Sequence, residues 1–190
     1  TSADDARSVH AADVDGDGDM DILSASAYDD KIAWYEQEGS PTIFQPQTKA
    51  ELQTAVDMWV EDNASAVAAY GQIYIWDVSL ITDMSDLFHG KTTFNDDISD
   101  WDVSGVTSMQ RMFRSAGSFN GDLSSWNVSI VTNMDDMFRG ANSFNGDISN
   151  WNVQQVTDMN EMFFGATNFN GYISNWDVQN VVNFSSMFYE

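Results

Sequence analysis

The sequence predicts an α/β repeat fold, a solenoid in which each 25-residue coil contains one short strand and one short helix. A strict 25-residue period and two apolar patterns within each period support this prediction. Aromatic residues mark the period in unbroken register: Trp76, Trp101, Trp126, Trp151 and Trp176, with Phe88, Phe113, Phe138, Phe163 and Phe188. One strand and one short helix cannot bury their own apolar faces, whereas stacked copies can.

Each copy has a helix-like half and a strand-like half. In "VTSMQRMFRSA" (106–116), apolar residues fall at steps of three and four, which is typical of one face of a short helix. In "FNGDLSSWNV" (119–128), the apolar residues sit among serines, asparagines and aspartates, as in a short strand running into a turn. One column of asparagines could bond the backbones of neighbouring coils or form a ligand-binding ladder: Asn95, Asn120, Asn145 and Asn170.

The chain divides into four predicted segments: a β segment (1–40), a linker (41–47), a capping helix (48–72) and the solenoid (73–190). The only two prolines, Pro41 and Pro46, mark the linker. The stripe of Leu52, Val56, Trp59 and Val60 predicts an amphipathic helix. We expect this helix to cover the first coil, because the open end of a solenoid needs a cap.

The β segment contains the stretch "DVDGDGDMD" (13–21), which concentrates five carboxylates in nine residues. Side-chain oxygens come from positions 1, 3, 5 and 9 of this loop, and position 7 offers a backbone carbonyl, so the candidate ligands are Asp13, Asp15, Asp17, Asp21 and Asp19. Carboxylate oxygens in a flexible loop suit calcium better than magnesium. The sequence therefore predicts a calcium site, with a solvated acidic turn as the alternative.

The stretches "ADVDGDGDMDILSAS" and "KIAWYE" resemble the FG-GAP/VCBS repeat, the blade unit of integrin-type β-propellers. The resemblance covers about 35 residues and implies calcium ligation by the loop aspartates. A propeller needs several blades, and the sequence contains one such unit. The alternative is a calcium-stiffened hairpin that packs on its neighbour.

The motif "FN.DIS.WDVS.VT.M..MF..A" and the preceding "F.P.TKAELQTAVDMWV" resemble the BspA-like, leucine-rich-repeat-related surface proteins. This resemblance spans residues 42–190 and implies a leucine-rich-repeat-like solenoid, a cell-surface location, and a role in adhesion or scaffolding. The family has no common catalytic residues, so the resemblance assigns none to this chain.

Composition excludes several function classes. Acidic residues number 30 against 7 basic ones, and a net charge of -23 repels nucleic acid and anionic membranes. The sequence contains no cysteine and no stretch long and apolar enough to span a membrane. The sequence has only two histidines, His10 and His89, that could serve as the base for a nucleophile, so we expect no enzymatic activity.

Two non-enzymatic functions remain: a calcium-stabilised extracellular building block of a surface, sheath, appendage or filament, and an adhesion module that binds a protein or glycan. Three sequons predict N-glycosylation in an extracellular eukaryotic protein, at Asn63, Asn127 and Asn183. The apolar stripe of Phe184, Met187 and Phe188 continues to the last residues. This stripe predicts self-association or contact with a neighbouring subunit, because an uncovered coil face seeks a partner.

Overall fold

The computed structural model describes residues 43–189, together with the backbone of three strands near the N-terminus. It divides into two compact units, Thr1–Ile43 and Phe44–Glu190. The first unit contains an antiparallel sheet of order β1-β2-β3, with β1 at Ala6–Ala12, β2 at Asp21–Ser26 and β3 at Ile32–Tyr35. Central pairs are Val9 with Ser24 and Ser24 with Ala33.

The second unit begins with two helices, α1 at Lys49–Glu61 and α2 at Asn63–Tyr70. Thr48 caps α1, because its Oγ1 accepts a hydrogen bond from the N–H of Glu51 at 3.2 Å. Asp62 ends α1 and caps α2 through the N–H of Ser65, also at 3.2 Å. One face of α1 is buried through Leu52, Ala55, Val56 and Trp59.

The predicted α/β, leucine-rich-repeat-like solenoid with one strand and one helix in each coil is wrong. Within residues 43–189, α1 and α2 are the only α-helices, and there is no β-strand. The repeats instead consist of turns, one 3-10 turn at Ile73–Ile75, and a row of single-residue parallel bridges. These bridges join successive repeats at the same position, through Asp83, Ser108, Asn133, Asp158 and Asn183.

The helix-like spacing arises from successive turns that are each closed by a hydrogen bond between residues three positions apart. In the segment 106–116, Arg111 and Ser115 have positive φ angles of 55° and 58°, which interrupt a right-handed helix. The N–H of Met109 donates to the carbonyl of Asn133 in the next coil at 3.0 Å, and so is not available inside its own coil. The N–H of Met112 closes a turn onto the carbonyl of Met109 at 3.1 Å. Apolar side chains therefore recur every three or four residues without a helix.

The strand-like half is also built of turns. The N–H of Trp126 donates to the carbonyl of Leu123 at 3.2 Å, which closes a turn. Side chains form many of the contacts between coils in this half, and the asparagines bond the backbone of the neighbouring coil as predicted. The N–H of Asn145 donates to Oδ1 of Asn120 at 2.8 Å, and the indole Nε1 of Trp151 donates to the carbonyl of Leu123 at 3.0 Å.

Stacking of equivalent side chains forms one continuous core. The rings of Phe113 and Phe138 lie 5.5 Å apart at 4° to each other, and those of Trp151 and Trp176 lie 6.3 Å apart at 3°. At the first coil, the ring of Trp59 from α1 meets Trp76 edge-on at 5.8 Å. The core therefore runs without interruption from α1 into the coils.

Candidate functional site

Ion pairs link four successive coils along one side of the stack. We call this set the charged face; it comprises Asp86, Arg111, Arg114, Asp136, Arg139 and Glu161. Arg111 pairs with Asp86 of the preceding coil at 2.9 Å, and Arg114 pairs with Asp136 of the following coil at 2.7 Å. Arg139 contacts Asp136 of its own coil at 3.6 Å and also pairs with Glu161. The charged face thus ties each coil to the next.

Asp136 is the one buried charged residue among those the structure describes in residues 43–189. Only 6% of its surface is exposed, and its Oδ1 has no hydrogen-bond donor. Burial raises the pKa of Asp136, and the nearby Arg114 and Arg139 guanidinium groups offset this rise only in part. The centre of the charged face therefore holds a carboxylate whose ionised form is destabilised by desolvation.

The column that contributes Arg114 and Arg139 to the charged face changes its chemistry along the stack. It runs through His89, Arg114, Arg139, Phe164 and Tyr189, one residue per coil. The guanidinium carbon of Arg139 lies 4.6 Å from the centre of the Phe164 ring, and this ring stacks on Tyr189 at 5.3 Å. The column thus turns from cationic to aromatic, whereas the tryptophan column keeps one residue type throughout.

Carboxylates form a regular column elsewhere on the coils. Asp97, Asp122 and Asp147 each accept a hydrogen bond from the N–H of the serine two residues later. These backbone bonds and those from the serine side chains lower the pKa of each carboxyl, so all three stay ionised at neutral pH. In residues 43–189, every lysine and arginine side chain is paired with a carboxylate outside this column. The column therefore lacks a counter-ion from the described part of the chain.

The predicted calcium ligands Asp13, Asp15, Asp17 and Asp19 lie outside the described residues. Asp21 is the first residue of β2, and its side chain also lies outside the described part. Among the residues that the structure does describe, no group of three or more histidines and carboxylates is placed to hold a metal ion. In the same part of the chain, no helix is long and apolar enough to cross a membrane.

The three sequons lie on separate elements. Asn63 is exposed at the start of α2. Asn127 is exposed within a coil, and its Oδ1 accepts the N–H of Ser129 at 3.2 Å, which leaves Nδ2 directed away from that bond. Asn183 is half-buried, and its Oδ1 accepts the N–H of Ser185 at 3.2 Å. Exposure therefore favours Asn63 and Asn127 as acceptors over Asn183.

Two cavities flank the helices of the second unit. A cavity of about 270 Å³ is lined by Phe44, Ala50, Glu51, Thr54 and Tyr70. A more polar one of about 350 Å³ is lined by Trp59, Val60, Asn63, Gln72, Thr93, Phe94 and Asp96. Asp96 accepts a hydrogen bond from Nε1 of Trp59 at 2.9 Å, so it fastens α1 to the first coil. Neither lining contains a histidine or lysine that could act as a base beside a nucleophile.

The sequence interpretation did not identify the charged face. The sequence does contain an indication of it: one repeat position carries both signs of charge, at Asp86, Arg111, Asp136 and Glu161. Opposite charges at one position of a stacked repeat are placed to meet across a junction. Arg111 and Asp86 do so in the structure.

One family of known proteins accounts for most of the chain. The model of the family described as "Mycoplasma protein of unknown function, DUF285" matches residues 54–157 and 122–190. Searches of curated proteins and of solved structures give no match. The two matched ranges together extend over residues 54–190, well over half of the sequence. The chain therefore belongs to the DUF285 family.

Proposed function

We propose that the chain is a structural repeat module of an extracellular or cell-surface assembly, stabilised by calcium near its N-terminus. The observation that carries this proposal is that side chains and backbone groups at equivalent positions form hydrogen bonds from one coil to the next. Such a stack is suited to hold a fixed shape. The proposal assigns no enzymatic activity to the chain.

The resemblance to BspA-like surface repeats supports the surface location. Antibody labelling of the source cells tests it, because a surface protein is labelled on intact cells. Labelling that requires permeabilised cells would contradict the location.

Intact-mass measurement of native protein tests glycosylation, and we expect added glycan at Asn127 or Asn63 if the source is eukaryotic. In that case, an unmodified mass for the eukaryotic protein would remove this part of the proposal.

The resemblance to the FG-GAP/VCBS repeat supports calcium as the ion, with Asp13, Asp15, Asp17 and Asp21 as side-chain ligands and the carbonyl of Asp19. Calcium that binds only the folded state stabilises it by mass action. We therefore expect calcium to slow hydrogen exchange in β1 and β2 of the full chain, and a chelator to reverse the effect.

A matched pair of variants separates a bound ion from general screening of negative charge. Asp15→Asn with Asp17→Asn should abolish the effect of calcium on β1 and β2. Asp122→Asn with Asp147→Asn removes the same charge from the carboxylate column and should leave the effect intact. Equal responses of the two double variants would show that calcium acts through charge screening, and the calcium site would be rejected.

The expected partners are further copies of the chain or neighbouring subunits of the assembly. Sedimentation of the full chain in calcium tests self-association at micromolar concentration. A stable monomer under these conditions would leave only neighbouring subunits of another kind as partners. Nucleic acid is not an expected partner, because the net charge of -23 opposes contact with phosphates.

An adhesion module that binds a protein or glycan is the second candidate function. The column that ends in Phe164 and Tyr189 favours it, because arginine and aromatic residues are enriched where binding energy concentrates. If the column binds a glycan, Tyr189→Ser should weaken retention on a glycan array, whereas Tyr74→Ser, on the 3-10 turn, should not. Equal retention of both variants would contradict binding through this column.

A further inference from the structure

The larger of the two cavities beside the helices is lined by polar side chains that the chain itself does not pair. We call this cavity of about 350 Å³ the polar cavity. Its polar lining consists of four exposed residues: Asn63, Gln72, Thr93 and Asp96. Within residues 43–189, the side chains of the first three form no hydrogen bond. Asp96 accepts one, at Oδ2 from Nε1 of Trp59, so its Oδ1 is also available to a ligand.

Two residues of the polar cavity depart from the repeat. Asp96 occupies the position at which the next three coils carry glycine, at 121, 146 and 171. Those coils exclude a side chain there; a Cβ on Gly121, for example, would lie 2.9 Å from the ring of Phe119. Gln72 occupies the position at which the next three coils carry aspartate, at 97, 122 and 147. The cavity therefore gains a carboxylate at one repeat position and an amide in place of a carboxylate at another.

This lining suits a neutral ligand with several hydroxyl groups. A carboxylate accepts hydrogen bonds, whereas amide and hydroxyl side chains both donate and accept, as the hydroxyl groups of a sugar do. An apolar ligand would bury these side chains without partners, which costs free energy. An acidic ligand would meet the carboxylate of Asp96, and this single carboxylate offers too few oxygens for calcium. The remaining class is a neutral, hydroxyl-rich molecule.

The size of the polar cavity limits the ligand to a small unit. Small-molecule sites have volumes of about 300–1,000 Å³, and the polar cavity lies at the lower end of this range. Its apolar lining comes from Trp59, Val60 and Phe94, which can contact the carbon atoms of a ring. The cavity thus offers hydrogen bonds and a limited apolar surface to one ring.

We propose that the polar cavity binds one neutral sugar ring of a glycan. The hydroxyl groups of the ring bond to Oδ1 of Asp96, the hydroxyl of Thr93 and the amides of Asn63 and Gln72. This site is separate from the column that ends in Phe164 and Tyr189. The inference therefore goes beyond the proposed function and does not depend on it.

Ligand-observed NMR on the full chain tests the inference with four free sugars: glucose, galactose, mannose and N-acetylglucosamine. The chain is produced in bacteria, because Asn63 belongs to a sequon and must stay unmodified. We expect saturation transfer to at least one of these sugars, with a dissociation constant of about 1–10 mM for a ligand of this size. Glucuronate should bind more weakly than the neutral sugars, because Asp96 repels its carboxylate.

Matched variants assign the binding to the polar cavity. Thr93→Val removes a hydroxyl from the lining and should weaken sugar binding by about fivefold. Thr92→Val, at the exposed neighbouring residue outside the lining, should leave the affinity unchanged. If Thr93→Val does not fold, Gln72→Met replaces it, with the exposed Gln155→Met as its control. Tyr189→Ser should leave the affinity unchanged, which separates the polar cavity from the aromatic column.

Absence of saturable binding for all four sugars would overturn the inference, as would equal affinities of Thr93→Val and Thr92→Val. Tighter binding of N-acetyl-lysine amide than of every sugar would show that the polar cavity takes a basic side chain, and this outcome would also overturn the inference. Glucuronate that binds as tightly as the neutral sugars would overturn the role of Asp96 in excluding acidic ligands.

Discussion

Replacing one phenylalanine at two places in the same column tests whether stacking between coils stabilises the fold. Phe138 is fully buried, and its ring lies 3.9 Å from Phe144, 5.5 Å from Phe113 and 5.7 Å from Phe163, centre to centre. Phe138→Ala should therefore lower the free energy of unfolding by about 3–5 kcal/mol, from lost transfer energy and the cavity that remains. Phe138→Leu keeps much of the apolar volume and should cost about 1–2 kcal/mol.

Phe188 provides the matched control, because it is the same residue type in the same column. Its ring has one neighbour in the column, Phe163 at 5.6 Å, and 58% of its surface is already exposed. With roughly two fifths of the burial, Phe188→Ala should cost about 1–2 kcal/mol.

Equilibrium unfolding of the full chain in urea, followed by tryptophan fluorescence at constant calcium, measures these differences. The slope against urea should stay unchanged, so that the midpoint shift reports stability. If Phe138→Ala does not fold, Phe138→Leu is compared with Phe188→Leu, and the larger loss is expected at the fully buried Phe138. An equal or larger loss for Phe188→Ala than for Phe138→Ala would refute the view that burial between coils sets the contribution of this column.

Three further predictions concern backbone strain, side-chain bonding and pH. Ser115→Gly should stabilise the fold by about 0.5–1 kcal/mol, because Ser115 has a positive φ of 58°. Ser118→Gly is the control at a position without positive φ, and it should destabilise the fold by about the same amount in the same urea assay. Asn120→Ala should lower the free energy of unfolding by about 1 kcal/mol, because Oδ1 of Asn120 accepts a backbone N–H of the next coil at 2.8 Å. Asn170→Ala should cost little, since Oδ1 of Asn170 accepts no hydrogen bond within residues 43–189. Equal losses for the two variants would contradict the role of the asparagine column. Because burial raises the pKa of Asp136, this group stabilises the fold below its unfolded pKa, and the contribution is lost as pH rises through the folded pKa. The stability of Asp136→Asn relative to wild type should therefore increase between about pH 3 and pH 7 in urea titrations, and a constant difference would contradict the raised pKa.

The sequence predicted the period and the columns because equivalent side chains of stacked coils must meet at a fixed register. It did not predict the backbone between the columns. Apolar steps of three and four between Met109 and Ala116 fit an α-helix and a series of four-residue turns equally well. Which of the two structures forms depends on residues with left-handed backbone angles. Arg111 and Ser115 have such angles but are not glycines, so their identities do not reveal the turns. Glycine at the position of Ser115 in other copies, as at Gly140, was the available sign of a turn.

The candidate site was predictable only in part, for different reasons. The asparagine column was foreseen because an amide at a fixed repeat position meets a backbone group of the next coil. The charged face was predictable only for pairs within one column, such as Arg111 with Asp86, because pairing Arg114 with Asp136 requires the lateral offset of two neighbouring columns. That offset depends on turn geometry, which apolar spacing does not specify. The calcium loop lies outside the described residues and stays a prediction.

The backbone bonds between coils connect residues about one repeat apart, however many repeats the chain contains. The average loop that must close to form a junction therefore stays constant as repeats are added, and relative contact order falls with length. Insertion of one or two residues would displace every later column against the earlier ones, whereas a duplication of 25 residues would preserve each junction. Gene duplication can thus change the length of the stack in whole repeats without a slower folding step for each addition, and selection can adjust the reach of the protein in units of one coil.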